Sequence, residues 1–247
     1  MNSFLAALQF LLLTPAFIRR TFTPQEMGKA VGFYPLVGLL LGAILAIVDI
    51  LLGFIFPIQV RSALILALWV VLTGGLHLDG FLDACDGLLG GSTPERRMEI
   101  MRDERVGAFA LAGGVLLLLI FFASLNVSMS ARWAALLLAP LLGRWAISLA
   151  LVMYPYARPS GLGRDIKDHA GRTELMLATL TSAAAALLAA IVAHSLAPVL
   201  ALIVAFGVFW LSARFILQRI PGMTGDTYGA IDMLVEAGVL LAFVAMR

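Results

Sequence analysis

The run Gly74-Gly75-Leu76-His77-Leu78-Asp79-Gly80-Phe81-Leu82-Asp83-Ala84-Cys85-Asp86-Gly87 holds the residues best suited to chemistry, with Asp79, Asp83 and Asp86 at i, i+4 and i+7. On a helix that spacing puts the three carboxylates within about 60° of one another, on one face. Such charges repel unless a cation sits among them. Oxygen ligands without an accompanying pair of Cys or His suit a hard ion such as Mg²⁺, which commonly bridges carboxylates and substrate phosphates. The plainer reading is a solvated helix start whose acids favour the N-terminal dipole. Carboxylates at a membrane border are costly, which favours the functional reading. His77 can ligate, touch substrate, or make an ordinary hydrogen bond. Cys85, the one cysteine, reads as a small packing residue and excludes an intrachain disulfide.

The run continues through Thr93-Pro94, a helix start with proline in its first turn, into Arg96, Arg97, Arg102 and Arg105. These arginines can clamp phosphates bidentately or pair with Glu95, Glu99 and Asp103 on a solvated face. Arg102, Asp103 and Arg105 are the functional choices among them. Residues 154–172, YPYARPSGLGRDIKDHAGR, set Arg158, Arg164 and Lys167 among Gly and Pro. A flexible basic loop beside an acidic site suits capture of a phosphate or nucleotide; a juxtamembrane loop meeting anionic lipid is its rival. From Pro221, PGMTGDTYGAIDMLVEA places Asp226 in a Gly-rich turn, where backbone can approach a ligand closely. Asp232 and Glu236 follow at i, i+4 spacing on the next helix. Acids so deep in an apolar run call for a partner, either a ligand or a structural pair with Arg144.

The elements that must position these residues are membrane helices. The chain is 62% hydrophobic and 13% charged, whereas soluble domains carry about a quarter charged residues. A net charge of +2 argues against a nucleic-acid partner. Apolar stretches of the roughly 20 residues a span requires fall near 30–56, 60–78, 107–126, 131–153, 174–193, 196–214 and 230–246. Residues 3–18, interrupted by Pro15, either span or lie in the interface. The expectation is one all-α domain over 1–247, a polytopic bundle of about seven spans within a range of about six to eight.

Seven spans alternate short connections (57–60, 127–130, 194–196) with long ones (79–106, 154–173, 215–229), so the long loops and segment 19–29 share one face. That face carries thirteen Lys and Arg, against Arg61, Arg132 and Arg247 on the other. The positive-inside rule then makes it cytoplasmic. Met1–Leu13 has neither a basic leader nor a small-residue cleavage site and reads as retained. No internal repeat or low-complexity run is present.

On these residues the sequence resembles the bacterial cobalamin synthases, the adenosylcobinamide-GDP ribazoletransferases. The similarity runs through FYPLVGLLLGA at 33–43, LTGGLHLDGFLDACDGL at 72–88, RMEIMRDERVGAFA at 97–110, GRWA at 143–146, YAR at 156–158 and GMTGDTYGA at 222–230. The resemblance implies a Mg²⁺-dependent enzyme of the bacterial inner membrane that completes the nucleotide loop of adenosylcobalamin. A ribose hydroxyl of α-ribazole, or of its 5′-phosphate, attacks the phosphoryl group of adenosylcobinamide-GDP, and GMP leaves. A second copy of the chain and other cobalamin-assembly enzymes are the candidate protein partners.

Within that chemistry, which needs positioning and charge neutralisation above all, Asp79, Asp83 and Asp226 would hold Mg²⁺, with Asp86 a further candidate ligand. Asp86, Asp83 or Asp103 would accept the ribose proton. Arg102, Arg105 and Arg158 would steady phosphates, while His77, Asp226, Asp232 and Glu236 would contact substrate. The acidic run is also similar in layout to that of CDP-alcohol phosphotransferases, which leaves a phospholipid synthase as an alternative. An ion-coupled transporter built on Asp232 and Glu236 is another, although transporters commonly place their sites at the midplane between repeats.

Overall fold

The computed structural model describes residues 2–126 and 132–246. Among these, twelve α-helices follow one another: α1 (Asn2–Leu11), α2 (Pro24–Ala30), α3 (Tyr34–Leu52), α4 (Ile58–Leu72), α5 (Leu76–Gly90), α6 (Pro94–Ile100), α7 (Ala108–Leu125), α8 (Arg132–Met153), α9 (Leu162–His169), α10 (Arg172–Ala193), α11 (Ala197–Leu217) and α12 (Gly225–Ala245). Six helical segments are long and apolar enough to cross a membrane: Pro24–Leu52, Ala108–Leu125, Arg132–Met153, Arg172–Ala193, Ala197–Leu217 and Gly225–Ala245. The pair α4 and α5 passes the same length and apolarity test only when taken together, across an 88° bend, which makes seven if the pair is one span. The protein is a multi-pass helical bundle. The expected 127–130 connection, the first residue of the 131–153 span and Arg247 lie outside the described residues.

The sequence pattern set one continuous span over 60–78, and there the structure differs. Gly74 and Gly75 adopt φ of 61° and 70°, a left-handed pair that side-chain-bearing residues rarely tolerate. The helix stops at Leu72 and restarts at Leu76 in a new direction, so the acidic run occupies a helix of its own. Residues 3–18 form only α1, about 15 Å long; this is too short to cross, and it packs against α2 and α3.

Local chemistry explains the other starts. Thr23 accepts the Glu26 amide at 3.2 Å while Glu26 accepts the Thr23 amide at 3.0 Å, a capping box ahead of Pro24. Thr93 and Thr224 cap α6 and α12 in the same way from the hydroxyl side.

α8 and α12 form the centre, and most of α8 is buried. Gly38 and Gly42 let α3 lie directly on α8: a Cβ at Gly38 would run into the Pro140 carbonyl, and one at Gly42 would stand 2.6 Å from the Leu136 carbonyl oxygen. Small residues four apart are how membrane helices reach such close contact.

At one end of the bundle Asp49 takes both Arg132 (2.8 and 2.9 Å) and Arg61 (3.1 Å), and Ser62 donates to the Leu125 carbonyl at 2.7 Å. The three long connections meet at the other end. Ala157 and Met223 are joined there by a 2.8 Å backbone hydrogen bond, Arg97 donates to the Arg219 carbonyl at 3.0 Å, and Arg158 pairs with Asp226 at 2.7 Å.

Candidate active site

The crossing of α5 over α12 builds the site. A Cβ on Gly80 would stand 3.0 Å from the Asp226 carbonyl, and one on Gly229 would stand 2.9 Å from the His77 carbonyl. Glycine at both positions brings the two backbones together, and with them Asp79 and the Asp226 turn. They face a cavity of about 370 Å³ that also takes in His77, Arg102, Arg158, Tyr156, Tyr228 and the Ser160–Gly163 turn. Asp226 is half-buried; its Oδ2 accepts from Arg158 Nη2 at 2.7 Å and from the Thr224 hydroxyl at 3.3 Å. The carboxylates of Asp79 and Asp83 receive no hydrogen bond from a protein donor among the described residues. Asp83 lies next to this group, within electrostatic reach of Asp79, Asp226, Asp86 and Arg158.

Asp86 shares the helix face but has other work in the fold. Its Oδ2 accepts the Gly107 amide at 2.6 Å and its Oδ1 the Ala110 amide at 2.9 Å. Gly107 precedes α7 and has no side chain to cap it, and a Cβ there would press on the Asp86 carboxylate. Asp86 therefore caps α7 from a distance of some twenty residues along the chain. The expected result is that Asp86→Ala lowers the melting temperature, by an amount corresponding to about 1–2 kcal/mol. Asp86→Asn keeps one acceptor oxygen but turns an NH2 donor onto the other backbone amide, so it should lower the melting temperature comparably while holding turnover within about tenfold. A turnover loss on the order of 10²–10⁴ at unchanged stability would instead make Asp86 the base.

Asp103 and Arg105 line a different, open depression of about 380 Å³ with Asp86, Gly107 and Phe109. Arg105 grips Asp103 through Nε at 2.9 Å and Nη2 at 2.6 Å, and its amide adds a bond at 3.1 Å. That grip holds the Asp103 carboxyl down to about 2, too acidic for efficient proton abstraction. Of the RDER run, only Arg102 reaches the cavity.

Asp232 and Glu236 do not line the cavity. Both are fully buried against Arg144, which pairs with Glu236 and stands 3.1 Å from Asp232. His77 joins them: its Nδ1 lies 3.0 Å from Asp232 Oδ2 and 3.1 Å from Arg144 Nη2. Gly143 leaves room for the Asp232 carboxylate. His77 thus stands between the cavity and the buried ion cluster.

Tyr156 and Tyr228, whose rings stack 6.2 Å apart at 24°, were not singled out from the sequence. Burial raises the Tyr156 hydroxyl above its ordinary range. The YAR tripeptide was the signal available for Tyr156, and the position of Tyr228 two residues after Asp226 for its partner. Lys167, expected to meet phosphate, instead donates to the Val152 carbonyl at 2.9 Å, and burial lowers its ammonium pKa.

No solved structure matches the chain. Among curated proteins, it is 43% identical over 240 residues to a protein of Stutzerimonas stutzeri, covering 96% of this chain and 95% of that one. It is 40% identical over 243 residues to one of Desulforamulus reducens, with 97% and 94% covered. It is 42% identical over 245 residues to one of Pseudomonas aeruginosa, with 98% and 97% covered. Each relative bears the name adenosylcobinamide-GDP ribazoletransferase. The family model described as cobalamin-5-phosphate synthase matches residues 3–244. The crossing of α5 on α12 and its paired acids and arginines therefore sit in a chain that belongs to the cobalamin-5-phosphate synthase family.

Proposed function

We propose that this chain joins adenosylcobinamide-GDP to α-ribazole, or to its 5′-phosphate, with release of GMP and formation of adenosylcobalamin or its 5′-phosphate. One observation carries the reading at the level of chemistry: Asp79 and Asp226 share a cavity with Arg102 and Arg158. Carboxylates to hold a cation and guanidiniums to hold phosphates are the two halves of a diphosphate site.

The donor set fits Mg²⁺. The Asp79 carboxylate is exposed to the cavity with no protein donor on it among the described residues. An ion that keeps waters and shares substrate phosphates needs only one or two protein carboxylates. Asp79 and Asp226 would hold it; when bound it would neutralise diphosphate charge and polarise the phosphoryl group.

Asp83, donor-free and one turn along α5, accepts the proton of the attacking ribose hydroxyl. That hydroxyl oxygen bonds to the phosphorus carried by adenosylcobinamide. The phosphoanhydride P–O bond breaks, and GMP leaves with the bridging oxygen and its electron pair. Arg158 and Arg102 steady the departing phosphate, and the rings of Tyr156 and Tyr228 offer a flat wall for a base.

The discriminating assay supplies the purified, detergent-solubilised protein and Mg²⁺ with either adenosylcobinamide-GDP and α-ribazole or a CDP-alcohol and an acceptor alcohol. GMP from the first mixture and no CMP from the second is the expected outcome; CMP release alone would replace this reading with phospholipid synthesis.

The charged end of the bundle faces the cytoplasm, in the inner membrane of a bacterium, because the basic residues gather there. In a Cys85→Ala background, cysteines at Ser92, Ser160 and Gly225 should all react with an impermeant maleimide in inside-out vesicles and resist it in intact spheroplasts. Labelling of one site from the opposite side would break this orientation.

A further inference from the structure

On the side of α5 turned away from Asp79 and Asp83, the helix joins α11 and α12 around a second groove of about 340 Å³. Its walls are almost entirely apolar and include Phe81, Ala84, Leu88, Leu211, Phe215 and Leu234. Ala84, Leu88 and Ile216 form a buried floor, while Leu89, Leu211 and Leu234 stand exposed at the rim. Between helices of a membrane bundle, an open apolar groove meets acyl chains rather than water.

One end of the groove has a different chemistry. Arg219, four residues beyond Phe215, stacks its guanidinium 3.5 Å over the Phe215 ring. Arg97 reaches the same corner by donating to the Arg219 carbonyl at 3.0 Å, its stem lying across Gly91.

Several arginines at this end are already paired. Arg96 is with Glu99, Arg105 with Asp103, Arg158 with Asp226, and Arg164 with Asp168. Arg97 and Arg219 have no carboxylate within ion-pair distance among the described residues; each gives only its Nη1 to a backbone carbonyl, Arg97 to Arg219 at 3.0 Å and Arg219 to Phe215 at 3.2 Å. Two guanidiniums without counter-ions, at the headgroup end of an apolar groove, complement an acyl chain that carries a phosphate.

We propose that this groove binds one anionic phospholipid, with an acyl chain between α5, α11 and α12 and the phosphate on Arg97 and Arg219. The site is separate from the cavity that holds Asp79 and Asp226, and its occupation does not depend on the transfer reaction.

The test measures lipid binding to the full-length protein in a neutral detergent by native mass spectrometry. Phosphatidylglycerol should bind saturably with one molecule per chain, more tightly than phosphatidylcholine of the same chains, and millimolar inorganic phosphate should not displace it. Arg97→Gln with Arg219→Gln should weaken phosphatidylglycerol on the order of tenfold and leave phosphatidylcholine unchanged. Ser212→Trp, which fills the groove from the α11 wall, should block it. Arg214→Gln should change nothing, because Arg214 stacks on Trp210 on another face of α11.

Equal retention of the two lipids by the unaltered protein would overturn the proposal, and so would displacement by inorganic phosphate. A change of oligomeric mass on Ser212→Trp without any phosphatidylglycerol binding would also overturn it, by making the groove a contact between copies. If the double variant fails to melt cooperatively, the headgroup comparison on the unaltered protein decides alone.

Discussion

Asp83→Asn should lower single-turnover GMP release by a factor on the order of 10²–10⁴, the usual worth of a general base, with the Mg²⁺ requirement unchanged. Asp79→Asn should lower it on the order of 10²-fold or more, since it removes several kcal/mol of charge stabilisation. Part of that loss should return as Mg²⁺ is raised. The two substitutions separate because the residues differ in position: Asp79 opens directly on the cavity with Asp226, whereas Asp83 stands a turn further along α5. Both replacements are isosteric, so both variants should still insert and melt as the parent does. A Mg²⁺ titration of the single-turnover rate in each variant is the check. Identical metal profiles would make the two aspartates one ligand set and send the search for the base elsewhere. Undiminished turnover in EDTA would end the metal assignment.

Arg144→Leu should be the most destabilising single change in the bundle. Arg144 is fully buried with Asp232 and Glu236. Its removal leaves two carboxylates facing one histidine in a low-dielectric interior. Breaking a buried pair from one side costs about 3–5 kcal/mol, which should appear as a large fall in melting temperature in detergent. The triple variant Arg144→Leu, Asp232→Asn, Glu236→Gln removes the charges together and should regain most of that loss, because replacing both partners of a buried pair is often near neutral. If Arg144→Leu instead keeps its melting temperature and raises the KM for a substrate, Asp232 and Glu236 are substrate-binding groups, as one reading of the sequence allowed.

Much of the candidate site's geometry was legible because helix period and local composition carry it. The i, i+4, i+7 spacing placed the aspartates on one face, the basic asymmetry gathered the long loops at one end, and the glycines around Asp226 marked a close backbone approach. What spacing could not show is which neighbour arrives from elsewhere in the chain. Asp86 looks equivalent to Asp79 along α5, yet the start of α7 lies against it and takes both of its oxygens. Asp103 and Arg105 looked like site residues, and the pair closes on itself beside a different depression. A hydropathy window also reads through Gly74-Gly75, since two glycines barely lower its average, whereas the left-handed backbone there turns the helix by 88°. The roles of Gly80 and Gly229 are likewise properties of a crossing, invisible in either segment alone.

Equilibrium binding of adenosylcobinamide-GDP, followed by the corrinoid absorbance in the presence and absence of Mg²⁺, tests most directly which depression is the site. The unaltered protein should bind the substrate with Mg²⁺ and lose most of that affinity in EDTA. Arg158→Gln and Asp79→Asn, on the cavity, should weaken binding, while Asp103→Asn and Arg105→Gln, on the second depression, should leave it within a few-fold of the parent. Binding that survives the cavity substitutions and is lost on Asp103→Asn or Arg105→Gln would place the diphosphate beside α6 and α7, and would contradict the assignment of the reaction to the crossing of α5 and α12.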